Sequence, residues 1–429
     1  MSTTQDITYI QNQDAKIAEL IRGEEWREEN GIELIPSENY VSQACHEAMG
    51  SVFTNKYSEW YPHKRYYGGQ DFTDPLEELC IERACKLFNC KYANVQTHSG
   101  APANIATYFA LCEPGDTILG MDLSHGGHLT HGHPVTYISK IFNFVRYKMK
   151  DPETGEIDYE ELRRVALETK PKIILAGFSA YPRELDYAKF VDIAREVGAI
   201  TMADMAHIAG LIAGWAVKNP FDAGFDIITT TTHKTLRWPR GGLILVRESE
   251  EIAKKIDKSV FPGLQWGPHM HIVAAKAVAF GEALTPEFRT YAAQILKNAK
   301  AMEEVFKKHN IRLITGGTDN HLLLADVWSS LGVSGKEAQT VLDEVGITLN
   351  MNSIADDTRK PMDPSGIRFG TPAITTRGFM EDDSREIAEL MIEAMKNKDN
   401  TEKKIEIREK VRALAKKFPV PDTFVRHVD

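Results

Sequence analysis

The sequence predicts an α/β protein whose large domain is built on a mostly parallel sheet and is followed by a smaller α+β domain. Three observations carry this. From about Ala84 to Arg247, short β-branched runs alternate with amphipathic stretches: "DTILGMD", "KIILAGFS", "AKFVDIAREVG", "AITMADMAH", "FDIITTTTHK" and "GGLILVR". Parallel strands need crossovers of about a dozen residues or more, usually helical, so the alternation reads as βαβ units with helices on both faces. Beyond it, "TPEFRTYAAQILKNAKAMEEVFKKH", about Thr285 to His309, is a long helical stretch that leads into a mixture of strand ("HLLLADV") and helix ("DDSREIAELMIEAMKNK"). Finally, a length of 429 residues suits two lobes at roughly 100–200 residues per domain.

Residues 1–40 read as an N-terminal helical arm, because "DAKIAELIRGEEWREENGIEL" places apolar residues at helical spacing. Residues 41–289 then form the large domain and 290–429 the small one. The charged "KNKDNTEKKIEIREKVRALAKK" is most simply a solvated helix face. The first residues are polar, and no window offers the roughly 20 apolar residues of a membrane span, so a soluble, cytoplasmic protein is expected. Lys and Arg total 51 against 61 Asp and Glu, a net charge of −10 that gives no electrostatic case for nucleic acid and leaves small molecules as the expected ligands. The cysteines Cys45, Cys80, Cys85, Cys90 and Cys112 form neither CxxC pairs nor an even disulfide framework, which suits free thiols in a reducing compartment.

Ligands of parallel sheets gather at the carboxyl ends of the strands, and the residues there are rich in chemistry. "SHGGHLTHGH" follows "TILGMDL", "SAYPR" follows "IILAGF", Asp204 ends "AITMAD" and Lys234 follows "DIITTTTH". A lysine in such a place can form a Schiff base with an aldehyde, and a carboxylate opposite it can keep a pyridinium nitrogen protonated; pyridoxal phosphate needs both. Either residue alone is equally a surface lysine or a capping aspartate. Ser99 and Gly100, ahead of a helical run beginning near Ala103, offer the backbone donors a phosphate requires, although a plain helix cap explains Ser99 too. The histidines at 125, 128, 131 and 133 admit three readings: a zinc site, an imidazole laid against a planar cofactor, or ordinary loop residues. No GxGxxG or P-loop motif occurs, against dinucleotide or NTP chemistry.

The chain resembles the serine hydroxymethyltransferase family from "ELIPSENYVS" to "SGIRFGTPAITTRG", through "NKYSEWYPHKRYYGGQ", "LGMDLSHGGHLTHG", "DMAHIAGLIA", "TTTTHKTLRWPRGG", "FPGLQWGPHMH" and "GITLNMNSI". The resemblance implies the aspartate-aminotransferase fold, fold type I of pyridoxal-phosphate enzymes. It implies Lys234 as the cofactor's lysine, Asp204 as partner of the pyridinium nitrogen, His128 stacked on the ring, and His207 and Ser179 near its O3′. It assigns the phosphate to Ser99, Gly100 and His233, with Tyr57 and Gly267 added by a neighbouring subunit, so that a homodimer is needed. The substrate carboxylate falls to Arg368 with Ser37 and Tyr67, and acid–base work at the substrate hydroxyl to Glu59. No metal is implied. The activity implied is reversible retro-aldol cleavage of serine to glycine, with tetrahydrofolate as co-substrate.

The chain departs from that pattern at glycines. Trp60, Trp238 and Trp266 stand where the family carries glycine, as does His63; Thr97, Ala101, Pro102 and Met351 replace proline, serine, glutamine and lysine. An indole buries about 150–250 Å², so the three tryptophans are expected either to fill the folate pocket or to wall a site for another aldehyde. Yet Glu59, Tyr66, Leu123, Gly127, Leu129 and Asn352, the folate-contacting positions, keep their type. A folate-independent threonine aldolase, transaldolase or α-methylserine aldolase is therefore the alternative, local loop packing with ordinary activity is the plainer one, and a non-catalytic homologue is a reading of another class.

Overall fold

The computed structural model describes residues 7–421. Its central sheet has seven strands: β1 (Tyr92–Asn94), β2 (Thr117–Met121), β3 (Asn143–Tyr147), β4 (Ile173–Gly177), β5 (Ile200–Asp204), β6 (Ile227–Thr231) and β7 (Gly242–Val246), in the order β1-β7-β6-β5-β4-β2-β3. Only β7 runs antiparallel, to both its neighbours; every other pairing is parallel. Strands β4, β6 and β7 are buried at every position, as expected of a sheet covered on both faces, and this is why β4 and β7 read as continuous apolar runs and β6 as a β-branched one rather than as alternating strands. The parallel strands all point their carboxyl ends to one edge, and that edge carries the chemistry.

The register places Gly177 beside Asp204. A Cβ on Gly177, whose φ is +155°, would sit 2.4 Å from the Asp204 carbonyl and 2.8 Å from its Cβ. Glycine at the end of β4 is thus what lets Asp204 project from β5.

The apolar core is divided. One cluster surrounds the seven-stranded sheet, and another surrounds a four-stranded antiparallel sheet of β8 (Arg312–Leu313), β9 (Leu322–Asp326), β10 (Asn350–Asn352) and β11 (Gly366–Gly370), ordered β8-β9-β11-β10. The helix Pro286–Lys308 serves both: Phe288, Ala292 and Ile295 join the first cluster, and Ala299, Met302, Val305 and Phe306 the second. The helix Ala15–Asn30 leads into Ile32–Glu33, which pairs in parallel with Ile347–Thr348. Ile32 and Leu34 are buried in the second cluster, each contributing about 1.5–3 kcal/mol by leaving water. The N-terminal segment is therefore tied to the same body that carries β11 and its Arg368. No helix among the described residues is long and apolar enough to cross a membrane.

Candidate active site

A cavity of about 500 Å³ opens at the carboxyl edge of the large sheet. Its wall brings together Ser37, Ser99, Gly100, His128, Ser179, Asp204, His207, His233, Lys234 and Arg368, ten residues expected from sequence to form one site. Asp204 ends β5, Lys234 follows β6, Ser179 follows β4 and His128 follows β2. Arg368 comes from β11 of the other sheet and donates to the Ser179 carbonyl at 2.6 Å and to Asn350 Oδ1 at 3.2 Å. It makes no ion pair with a carboxylate among the described residues, and burial lowers it to about 10. A buried guanidinium without an anionic partner is costly, and a substrate carboxylate would meet that need in a bidentate pair.

Asp204 is the most heavily supported group. Its Oδ2 accepts from Asn104 Nδ2 at 2.8 Å and from His131 Nε2 at 3.0 Å, while Oδ1 accepts the Ala206 N–H at 3.2 Å. The tautomers follow from neighbouring bonds. The His128 N–H donates to His131 Nδ1 at 3.1 Å, so His131 carries its proton on Nε2 and donates it to Asp204. In the same way Thr130 N–H donates to His128 Nδ1 at 3.1 Å, leaving the His128 proton on Nε2. Burial alone would raise the Asp204 carboxyl, but the hydrogen bond from His131, the nearby imidazoles and the hydrogen bond from Asn104 hold it well below the usual carboxylate range. The result is a fixed, ionised carboxylate in a buried, hydrogen-bonded setting.

Burial brings the Lys234 amine down to about 8; Asp204 opposes this, and Arg368 and Arg240 add to it. An amine so placed is partly neutral near pH 7, which nucleophilic attack on an aldehyde requires. Burial also keeps the imidazoles neutral: His128 falls to about 4, His233 to about 3, and His207 well below its ordinary range. His207 Nδ1 lies 3.3 Å from Nε2 of His321, which burial and Arg368 bring to about 3.

The phosphate end also fits. Ser99 and Gly100 open the twelve-residue helix Gly100–Leu111, whose N-cap side chain makes no capping bond. A Cβ on Gly100 would lie 2.6 Å from Thr231 Cγ2, so only glycine lets the backbone approach there. His233 Nδ1 is buried without a hydrogen-bond partner among the described residues. Free N–H groups at a helix start attract a phosphate, although Pro102 in the first turn contributes none. A dianionic phosphate at this end, a protonated ring nitrogen at Asp204 and an aldehyde at Lys234 together describe pyridoxal phosphate.

His128, His131 and Asp204 hold ligand atoms within 4.8 Å of one another, the geometry of a possible metal site. Both nitrogens of His131 and Nδ1 of His128 are already engaged in the hydrogen bonds above, so these three serve as a carboxylate and its supports.

The remaining expected residues lie elsewhere in the chain. Tyr57, Trp266 and Gly267 line a second cavity of about 530 Å³ with His98 and His269. Glu59 is 8% exposed, and the backbone on both sides of it is held by Arg65, which donates to the Ser58 carbonyl at 2.9 Å and the Trp60 carbonyl at 2.6 Å. Tyr67 packs edge-on against Tyr57 at 5.4 Å and Tyr66 at 5.3 Å. Leu123 and Leu129 are exposed, and Asn352 is half-buried on β10. At Gly127 a Cβ would meet the Met121 carbonyl at 2.2 Å, so backbone approach alone requires glycine there.

The three tryptophans part company. Trp238 is 1% exposed, 4.6 Å from the Phe280 ring and 6.3 Å from Phe288. It belongs to the core of the large domain and not to the wall of either cavity, contrary to the expectation that it lines a substrate pocket. Trp60 and Trp266, 46% and 63% exposed, both pack edge-on against Phe261 at 5.9 Å. Trp60 and His63 also keep left-handed backbones, φ +74° and +62°.

Asn104 and Arg240 belong to the site and were not singled out from sequence, and His131, weighed there only as one of four loop histidines, turns out to be the donor to Asp204. Asn104 lies one helical turn after Gly100, the spacing that puts two side chains on one face, and that signal was available. His131 stands three residues after His128 in a 3₁₀ turn, where i and i+3 eclipse.

The family model for serine hydroxymethyltransferase matches residues 10–391 of the chain.

Proposed function

The chain belongs to the serine hydroxymethyltransferase family, pyridoxal-phosphate enzymes with tetrahydrofolate as co-substrate, and on that premise we propose that it interconverts serine and glycine with tetrahydrofolate as one-carbon acceptor. The observation that carries the reading is the convergence of Lys234, Asp204 and Arg368 on one cavity, which also disfavours a non-catalytic homologue. Bound there, pyridoxal phosphate supplies an electron sink for cleavage at the amino acid's Cα. Lys234 holds it through its amine, and Asp204 retains a proton on the ring nitrogen because His131 and Asn104 keep the carboxylate ionised. His128, on the wall of the same cavity, would help hold the cofactor's ring. Arg368, with Ser37, orients the amino acid by its carboxylate. Tyr67 joins them at that carboxylate, and Glu59 handles the proton at the substrate hydroxyl. Since Tyr57, Glu59, Tyr67 and Gly267 do not line the Lys234 cavity of their own chain, they are assigned to the site of a second copy in a two-fold dimer. The division into arm, large domain and small domain at residues 40 and 289, and a cytoplasmic location, are part of the same reading.

A second reading is favoured by Trp60 and Trp266, exposed on either side of Phe261: a folate-independent aldolase in which these rings receive the side chain of an aromatic β-hydroxy amino acid. The test compares kcat/KM for glycine formation from serine with and without tetrahydrofolate, and from phenylserine without it. Strict folate dependence with serine preferred supports the hydroxymethyltransferase. Folate-insensitive cleavage with phenylserine preferred by tenfold or more overturns it in favour of the aldolase.

A further inference from the structure

Among the five cysteines, Cys45, Cys80 and Cys112 are buried while Cys85 and Cys90 are only half-buried. The local fold brings those two together. The helix Thr73–Phe88 ends at Asn89 in the left-handed conformation, φ +56°, and the Cys90 N–H reaches back to the Cys85 carbonyl at 3.1 Å. This six-to-one bond is the Schellman ending, in which the side chain just past the helix packs on the one in its last full turn. Here both side chains are thiols. Cys90 Sγ also lies 3.5 Å from the Tyr92 carbonyl.

We propose that Cys85 and Cys90 are a dithiol modification site, closed to an intramolecular disulfide by exchange with a low-molecular-weight disulfide. The Cys85 thiolate attacks one sulfur of the disulfide RSSR, forming a mixed disulfide and releasing the first RS⁻. Cys90 then attacks the Cys85 sulfur, the Cys85–Cys90 bond forms and the second RS⁻ leaves. The two thiol protons go to the two RS⁻ groups, so the protein loses two electrons and two protons and RSSR is reduced to two RSH. The roles follow from the surroundings. The hydrogen bond from Cys90 draws the Cys85 thiol below its ordinary range, and the same bond and burial push Cys90 up; the thiolate is the nucleophile. Burial pushes Cys45 up to about 11 and Cys112 to about 12, which leaves them out of the exchange.

The test uses the folded full-length protein with oxidised glutathione as the probe. Free thiols are expected to fall from the five present to three with no glutathione retained. Cleavage after Arg83, Lys86 and Lys91 should release residues 84–86 joined to 87–91, separable again by dithiothreitol. The Cys90→Ser variant should instead stop at the first step, with one glutathione held on Cys85. Retention of all five thiols, glutathione persisting on Cys85 of the unsubstituted protein, or an unmodified Cys90→Ser variant would each overturn the proposal.

Discussion

If Trp238 blocked a substrate pocket, Trp238→Gly would open it. Its surroundings predict something else. The indole is buried against Phe280 and Phe288, and its N–H backbone donates to the Thr232 carbonyl at 3.0 Å, closing the turn that carries Lys234. Deleting a buried aromatic side chain costs about 3–5 kcal/mol through lost transfer energy and the cavity left behind. Glycine adds about 0.4–1 kcal/mol by loosening the unfolded chain. The sum, about 3–6 kcal/mol, is a large part of the roughly 5–15 kcal/mol that holds a folded domain together. At a urea slope of about 3 kcal/mol per M, the midpoint falls by about 1–2 M. The assay is urea unfolding followed by far-UV circular dichroism, run beside folate-dependent turnover at low temperature. A variant with an unchanged midpoint and raised folate-dependent turnover would refute the core assignment.

Trp60 separates backbone strain from contact: Trp60→Ala keeps the left-handed φ and loses the Phe261 contact, whereas Trp60→Gly loses the contact and relaxes the backbone. The glycine variant should therefore be more stable than the alanine variant by about 1 kcal/mol, read as a difference in urea midpoints; equality would mean the loop is unstrained. Removing the His131 hydrogen bond to Asp204 with His131→Ala should cost about 1.5–3 kcal/mol of ionic hydrogen bonding, or roughly 10–100-fold in cofactor retention by equilibrium dialysis. Unchanged retention would show that Asp204 does not depend on it. The buried histidines set an acid limit on stability. His128 at about 4, and His233 and His321 at about 3, lie below the ordinary value near 6.5. The unfolded chain thus takes up protons first as pH falls, so stability is complete above about pH 7 and drains away between about 6.5 and 3, by up to about 1.4 kcal/mol per pH unit for each such histidine. His321→Gln should flatten the profile by about one proton, and an unaltered slope would contradict the assignment.

The large sheet was legible because its signals are local. Strands β4, β5 and β6 are short, β-branched or apolar runs, and the residues at or just past their carboxyl ends, Ser179, Asp204 and Lys234, reach the cavity, so Asp204 and Lys234 could be placed from the residues around them. Arg368 could not, since it reaches the cavity only through the packing of the smaller sheet against the larger, which no local pattern encodes; the family resemblance supplied it. Trp60 and Trp238 show the limit most clearly. Both are indoles at expected glycines, and no feature of "SEWYP" or "LRWPR" distinguishes them. At position 60 the glycine answers a torsional need, because the loop keeps φ at +74° even with an indole in place. At position 238 the left-handed residue is its neighbour Arg237, φ +62°, and the tryptophan itself has ordinary backbone. Glycine there answers a need for space, and the space is set by Phe280 and Phe288, which arrive from later helices. The same substitution therefore strains an exposed loop in one place and fills a core in the other. Only the exposed pair, Trp60 with Trp266, retains a surface with which to select a second substrate.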